Sequence, residues 1–167
     1  MICHFYLINV LLYPVQILQD SIQVKSQIWK IKLTTLKIKN FDTSNVVDMN
    51  FMFSDNYYLK SLDISPFDKS KVTYMFKMFD SSANFDTLDF SHFRTSSVLD
   101  MGSMFWNSYN LKSLDLSTFD KSNIRDMLSM FEGCDKLNYL DVSTSKTSNA
   151  KDKALKSQTY QKIIISQ

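Results

Sequence analysis

The sequence holds few of the residues that make loops and covalent cross-links. It has two Gly, two Pro and two Cys in 167 residues. So few Gly and Pro argue against a loop-rich or low-complexity chain, and they leave almost no room for a glycine loop that cradles phosphate. Cys3 and Cys134 lie far apart and form no C-x-x-C pair. They therefore predict neither a disulfide framework nor a zinc site.

The sequence also has a low net charge and lacks the common catalytic motifs. The 19 basic and 17 acidic residues give a net charge of +2, which provides no electrostatic indication of the clustered basic face that nucleic acid requires. No G-x-S-x-G, H-E-x-x-H, P-loop or dinucleotide motif occurs, and His4 and His92 have no neighbour at ligand spacing. We expect no enzymatic activity, no cofactor and no metal site.

What the sequence does have is a repeat of 26 residues, and one Leu column shows it: Leu36, Leu62, Leu88, Leu114 and Leu140. Further columns keep the same spacing. They are Phe41, Phe67, Phe93 and Phe119; Val46, Val72, Val98 and Ile124; Met49, Met75, Met101 and Met127; Met52, Met78, Met104 and Met130; and Phe53, Phe79, Phe105 and Phe131. A fixed period of this length is the sequence signature of stacked repeat units.

Each unit contains two patterns. Leu59 to Phe67 reads L-x-x-L-x-L-x-x-F, the leucine-rich repeat strand pattern with Phe in place of Asn or Cys, and it predicts a short parallel strand. Asn45 to Phe53 places apolar residues at i, i+3, i+6 and i+7, which predicts two turns of helix. The predicted fold is therefore an α/β repeat, a leucine-rich-repeat-like solenoid with strands on one face and helices on the other.

The predicted helix also has end signals. Three candidate capping residues are each followed three positions later by an acid, in the pairs Asn45 and Asp48, Ser97 and Asp100, and Asn123 and Asp126. After the helix comes a column of turn residues, and Gly or Asn there suits the left-handed backbone conformation at a helix C-terminus. The column is Asp55, Ser81, Asn107 and Gly133.

Both ends of the chain depart from the repeat. The apolar run Phe5 to Tyr13 has no preceding basic residue and no A-x-A-like site after it, so neither a signal peptide nor a membrane span is favoured. We predict a divergent capping repeat over residues 1–32, four repeats plus the strand of a fifth over 33–142, and a polar, Lys-rich cap or tail over 143–167. Ile163 to Ile165 is predicted to begin one more strand.

The units FDTSNVVDMNFMFSDNYYLKSLDIS and FDKSNIRDMLSMFEGCDKLNYLDVS resemble the 26-residue repeat of bacterial surface proteins, the BspA-like leucine-rich repeat family. The similarity covers roughly Leu33 to Ser143 and includes the Cys that family members often carry, here Cys134. It implies a protein displayed on the cell surface or secreted, an adhesive or protein-binding role, and no catalysis.

Two sets of residues are candidate binding sites. The first is an outward column on the strands, Asp63, Asp89, Asp115 and Asp141, flanked by hydroxyl columns. Adjacent carboxylates repel by roughly 0.8 kcal/mol even in water, so a basic segment or a calcium ion could neutralise them. The favoured alternative is a solvated face in which Lys60, Lys112 and the hydroxyls absorb the charge.

The second set consists of aromatic residues between the predicted helix and strand: Tyr57, Tyr58, Trp106 and Tyr109. They suit either the anchoring of a partner or local packing under a loop. Phe51, Tyr74 and Phe76 are interpreted as core or crevice filling.

The expected function is a non-catalytic binding module, monomeric, with a protein or glycan partner. One alternative is a structural or antigenic spacer without a defined ligand. Another is an intracellular interaction scaffold. Loss of binding on substitution of the aromatic set supports the module, tolerance of every exposed substitution supports the spacer, and cytosolic fractionation supports the scaffold.

Overall fold

The computed structural model describes residues 34–36, 44–65, 71–120, 122–142 and 163–164. These residues contain six strands of two or three residues each: β1 (Thr35–Leu36), β2 (Ser61–Leu62), β3 (Thr87–Leu88), β4 (Ser113–Asp115), β5 (Tyr139–Asp141) and β6 (Ile163–Ile164). β1 pairs with β2, and a second sheet has the order β3-β4-β5-β6. All of these pairs are parallel.

The strand register reproduces the sequence period. Thr35 faces Ser61, and Ser113 faces both Thr87 and Tyr139, so successive partners lie 26 residues apart. Each unit is thus one coil, and the next coil lies directly beside it. The predicted extra strand at the C-terminal end is confirmed by β6, although Leu140 faces Ile163 and the last spacing is shorter.

The predicted helices are wrong. Within the described ranges, the segments after Asn45, Lys71, Ser97 and Asn123 form bends and turns without a helix. Alternate backbone N–H groups donate to the next coil instead of to a carbonyl four residues back. Met49, Phe51 and Phe53, for example, donate to the carbonyls 25 residues later at 2.9, 3.0 and 2.8 Å. The α/β solenoid with a helical face is therefore corrected to a stack of coils. The coils are hydrogen-bonded through these turn segments on one side and through the paired strands on the other, where the pairing is interrupted between β2 and β3.

Two columns of left-handed residues explain why these segments cannot be helical. Phe51, Lys77, Ser103 and Ser129 have φ between 52° and 56°, and Asp55, Ser81, Asn107 and Gly133 have φ between 55° and 76°. Left-handed residues interrupt a right-handed helix. The second column confirms the conformation expected from its turn residues, but in a series of tight turns and not at the end of a helix.

Isolated parallel bridges join the same segments across the stack, from Asp48 to Tyr74, from Tyr74 to Asp100 and from Asp100 to Asp126. We call the surface formed by residues 47–51, 73–77, 99–103 and 125–129 the turn face. The outward positions of β2 to β5, together with the two or three residues that follow each strand, form the strand face.

The core lies between these two faces and is built from stacked rings. Phe53, Phe79, Phe105 and Phe131 contact one another in sequence at centroid distances of 5.4, 5.6 and 5.7 Å, with interplanar angles of 19°, 5° and 4°. All four are fully buried. Rings in the same orientation one coil apart therefore form a continuous column, and dispersion contacts along it tie each coil to the next.

A second Phe column is described in part. Phe93 and Phe119 stack at 6.1 Å, whereas Phe41 and Phe67 lie outside the described residues. Phe90 lies between the two columns and contacts Phe79, Phe93, Phe105 and Phe119 edge to face at 5.1 to 5.8 Å. This one large ring joins both columns in the middle of the stack.

The core also contains a column of buried polar groups. The Ser82 hydroxyl donates to the Phe53 carbonyl at 2.6 Å, the Ser108 hydroxyl to the Phe79 carbonyl at 2.9 Å, and the Cys134 thiol to the Phe105 carbonyl at 3.0 Å. Each bond satisfies a buried carbonyl of the neighbouring coil. Cys134 thus replaces Ser in a repeated structural position.

The predicted caps, residues 1–32 and most of 143–167, lie outside the described residues, so both remain predictions. Within the part of the chain that is described, we find no helix with the length and apolar character that a membrane span requires.

Candidate functional site

The strand face carries an open depression of about 360 Å³ that crosses β3, β4 and β5. Its position follows from the alternation of side chains along each strand. This alternation buries Leu88, Leu114 and Leu140 and points the residues immediately before and after each of them outward. Polar lining comes from Thr87, Asp89, Ser91, Ser113, Asp115, Thr118 and Tyr139. Leu88, Phe90 and Leu114 complete the lining, so the depression combines hydroxyls, two carboxylates and one phenol ring with three apolar side chains.

The Asp column is only partly gathered at this depression. Asp89 and Asp115 both line it, and Asp115 faces Asp141 in the register of β4 and β5. Asp63 lies on β2's side of the stack and is not part of the lining. The structure thus brings two of the four predicted carboxylates into one concave site.

The carboxylates of the Asp column also stabilise the turns that follow the strands. Asp63, Asp89 and Asp115 accept hydrogen bonds from the backbone N–H groups of Ser65, Ser91 and Ser117 at 3.0, 2.8 and 2.8 Å. Each bond closes a small turn after the strand. The bonds from Ser91 hold the pKa of Asp89 below its ordinary value, first through its N–H and then through its hydroxyl.

Lys112 does not neutralise the negative charge of the strand face. It pairs with the Asp86 carboxylate at 2.9 Å, and both side chains are exposed, so Lys112 does not compensate the Asp column as the favoured interpretation expected. Hydroxyls absorb part of the charge, since the Ser65 hydroxyl donates to Asp63 at 2.6 Å. Among the described residues, no three acidic, His or Cys side chains converge on a possible metal position.

Tyr139 closes one end of the depression. Its column otherwise holds Ser61, Thr87 and Ser113, so an aromatic ring replaces a hydroxyl side chain on the last of these strands. Burial against the strands raises the pKa of Tyr139, and the negative charges of Asp141 and Asp115 raise it further. A hydrogen bond between the phenol and the Asp141 carboxylate contributes to the same shift in pKa.

The aromatic set does not form one cluster. Tyr57, Tyr58 and Tyr109 are exposed to 47%, 43% and 46%. Tyr57 and Tyr109 share a column, with the buried Ala83 between them, so they stand two coils apart, roughly 10 Å. The Tyr57 hydroxyl donates to Asp55 at 2.9 Å, and this bond is the main reason that its pKa is raised.

Trp106 packs against Lys77 of the neighbouring coil. The Lys77 ammonium lies 4.6 Å from the centroid of the Trp106 ring and 3.3 Å from the Asp80 carboxylate. Trp106 is half-buried and therefore stabilises neighbouring coils through this cation–π contact. The three tyrosines keep exposed rings and remain predicted contact residues.

The sequence places Tyr139 in an outward column beside the aspartates, but neither Tyr139 nor Thr118 was predicted as a binding residue. Tyr139 was detectable as the one aromatic residue in an outward hydroxyl column. Thr118 lies beyond the strand, and its hydroxyl donates to the Phe90 carbonyl on the neighbouring coil at 3.1 Å. Its position at the depression depends on how the chain turns after β4, which the strand pattern does not specify.

Comparison with known proteins gives one family and no individual relative. Neither the curated proteins nor the solved structures yield a match. A family model matches the chain over residues 25–89 and again over residues 83–160, which together cover most of its length and all of the described coils between Ser44 and Val142. The chain therefore belongs to the family described as Mycoplasma protein of unknown function, DUF285.

Proposed function

We propose that the chain is a non-catalytic binding module, displayed on a cell surface or secreted, which holds a glycan or protein partner on its strand face. The observation that carries the proposal is the depression across β3 to β5, with its hydroxyls, carboxylates and tyrosine ring. Concave sites lined by a few convergent polar groups are the usual location of ligand binding.

The lining favours a glycan over a protein segment. A carbohydrate presents many hydroxyls that both donate and accept hydrogen bonds, and the depression offers matching groups in Thr87, Ser113, Asp89 and Asp115. Tyr139 adds an aromatic surface. The repeat brings equivalent groups into adjacent coils about 4.8 Å apart, which suits a ligand that is itself extended and repetitive.

Display outside the cell is supported by the similarity of the repeats to the BspA-like surface proteins, and a stack with two long open faces suits such a role. Labelling of intact cells with an antibody to the chain tests this part. Surface labelling supports display, whereas a signal that appears only after lysis favours the intracellular scaffold.

Binding is tested with the full chain on an array of glycans and on a panel of purified secreted proteins. Asp115→Asn removes one charge-assisted hydrogen bond and is expected to weaken binding about tenfold or more. Tyr139→Ser restores the residue found at two other positions of its column and is expected to remove the aromatic contribution. Asp135→Asn, an exposed carboxylate away from the depression, serves as the matched control.

Binding to glycans that Asp115→Asn and Tyr139→Ser both weaken, with Asp135→Asn unchanged, supports the proposal. Binding to a protein with the same pattern keeps the site and changes the ligand class. If no ligand binds, or if all three variants bind as the natural sequence does, the strand face is not a binding site and the spacer interpretation replaces the proposal.

A further inference from the structure

An exposed tyrosine interrupts a column of aspartates on the turn face. The isolated bridges align Asp48, Tyr74, Asp100 and Asp126 on successive coils, and only Tyr74 is not acidic. Its side chain is 42% exposed. An aromatic ring therefore stands between two carboxylates, Asp48 and Asp100, each one coil away at about 4.8 Å of backbone separation.

The tyrosine costs the fold a regular hydrogen bond. The Asp48, Asp100 and Asp126 carboxylates each accept the backbone N–H two residues further on, at 2.7 to 2.8 Å. The Tyr74 side chain has no oxygen close to its Cβ that could accept the corresponding N–H, that of Phe76. The Phe76 N–H instead donates to the Asn50 side chain of the neighbouring coil at 2.7 Å.

A further change accommodates the Phe76 ring. Gly102 follows Phe76 in its column, and a Cβ on Gly102 would lie only 3.2 Å from the Phe76 ring, so the missing side chain leaves room for that ring. The two coils next to that of Tyr74 thus carry compensating residues: Asn50 accepts the Phe76 N–H, and Gly102 leaves room for the Phe76 ring. Local exceptions that are compensated elsewhere are expected where function requires them.

Apolar side chains lie on the turn face together with the tyrosine. The rings of Phe51 and Phe76 contact each other edge to face at 5.4 Å, and both are half-buried. Val47, one coil from Tyr74 on the same face, is 46% exposed. Together with Tyr74 these residues form the turn-face patch. Exposed apolar surface of this kind is typical of a contact with another molecule.

The charges near Tyr74 indicate the chemistry of the partner that this patch would contact. Asp48 and Asp100 flank the ring with negative charge. Lys77 also lies on this face, 5.8 Å from the Phe76 ring, but its ammonium is paired with Asp80 at 3.3 Å and packed on Trp106. Arg125 is exposed beside Asp126, two coils from Tyr74. The exposed Lys71, three residues before Tyr74, donates to the Asn45 side-chain oxygen at 2.7 Å. A cation placed on the Tyr74 ring would gain both the ring quadrupole and the two carboxylates.

We propose that the turn-face patch is a second interaction surface, separate from the strand face, and that it binds a basic segment of a protein partner. An arginine or lysine side chain of that segment stacks on the Tyr74 ring between Asp48 and Asp100. The aliphatic part of the same side chain packs against the apolar residues of the patch.

The test is a titration of the full chain with a fluorescently labelled arginine-rich peptide at near-physiological salt. Tyr74→Asp restores the residue of the other coils, so it removes the ring while adding a negative charge. Affinity is expected to fall about threefold to tenfold, the usual size of a cation–π contact. Tyr74→Phe keeps the ring and is expected to bind as the natural sequence does.

Higher affinity of Tyr74→Asp would show that charge alone attracts the peptide, and would overturn the proposal. Equal losses in Asp100→Asn and the control Asp135→Asn would do the same, as would a loss in Asp115→Asn on the strand face without one in Tyr74→Asp. If Tyr74→Asp does not fold, Tyr74→Asn replaces it, since its side-chain oxygen can still accept the turn hydrogen bond. An unchanged affinity in that variant overturns the proposal as well.

Discussion

The Asn50 side-chain oxygen accepts the backbone N–H of Phe76 across neighbouring coils, at 2.7 Å. In the other coils an Asp two residues before the N–H performs this task, and at the position of Tyr74 that Asp is missing. Asn50→Ala is therefore expected to lower the free energy of unfolding by about 1 kcal/mol, the usual contribution of one hydrogen bond. Urea unfolding measures the change.

The same relationship predicts a coupling between Asn50 and Tyr74. In a chain that carries Tyr74→Asp, the new carboxylate can take the Phe76 N–H, so Asn50→Ala should cost much less. A double-mutant cycle measures the difference. Additive effects of the two substitutions would show that Asn50 does not compensate for the missing aspartate.

The ring column makes a prediction about cooperativity. Phe105 lies between Phe79 and Phe131 at 5.6 and 5.7 Å and is fully buried. Phe105→Ala should cost about 3 to 5 kcal/mol, the range for loss of a buried ring. Because the ring joins the coils before and after it, we also expect a broader thermal transition. A sharp transition with a small loss of stability would contradict a continuous column.

Gly133 predicts how backbone conformation limits substitution. Its φ is 76°, and a Cβ at this position would collide with the Asn107 side chain. Gly133→Ala should therefore destabilise by more than about 1 kcal/mol. The matched control is Ser103→Gly, because Ser103 has φ 52° and Gly adopts this conformation without strain. Thermal unfolding of both variants should show a loss for Gly133→Ala and no loss for Ser103→Gly.

Cys134 gives a prediction about pH. Burial raises the pKa of its thiol to about 12, and the first cause is desolvation. The unfolded thiol ionises near its ordinary value, so above that pH the unfolded state binds fewer protons than the folded state and is favoured. Stability should then fall by about 1.4 kcal/mol per pH unit as pH rises from about 9 towards 12.

Cys134→Ser isolates this contribution from the Tyr and Lys residues that titrate in the same range. Ser occupies the same column at Ser82 and Ser108, where each hydroxyl bonds to the neighbouring coil. The difference in unfolding free energy between the variant and the natural sequence should grow with alkaline pH. A constant difference would mean that the thiol is not buried.

The sequence was sufficient for the period, the strand positions and the core columns, because these depend on side-chain type at fixed spacing. The helices could not be distinguished from turns in the same way. Apolar residues at Val46, Met49, Met52 and Phe53 suit one face of a two-turn helix, and they suit a series of tight turns equally well. The deciding feature was the left-handed column from Phe51 to Ser129, which contains no Gly or Asn to reveal it.

The candidate site was predictable to a similar degree. The outward positions of Asp89 and Asp115 follow from the sequence alone, because strand residues alternate between two faces. The concavity itself was not predictable, since it depends on Thr118 and Tyr139 and on how the chain leaves β4. Tyr74 was interpreted as crevice filling, because an aromatic residue next to apolar columns is usually buried. Its exposure follows from the bridge register, which places it in the Asp column.

One cross-linking measurement tests the stacking of 26-residue coils most directly. Ser108 lies one coil from Cys134 and Ser82 lies two coils away, and Ser108 and Cys134 share the column of buried bonds to the preceding coil. Adjacent coils at about 4.8 Å fall within the Cα separation that a disulfide allows, whereas two coils do not.

The measurement is a count of free thiols after refolding under oxidising conditions, in chains in which Cys3 is replaced by Ser. The stack predicts that Ser108→Cys loses both thiols to a disulfide with Cys134, while Ser82→Cys keeps both. Equal oxidation of the two variants, or free thiols in both, would contradict the arrangement of one repeat directly beside the next.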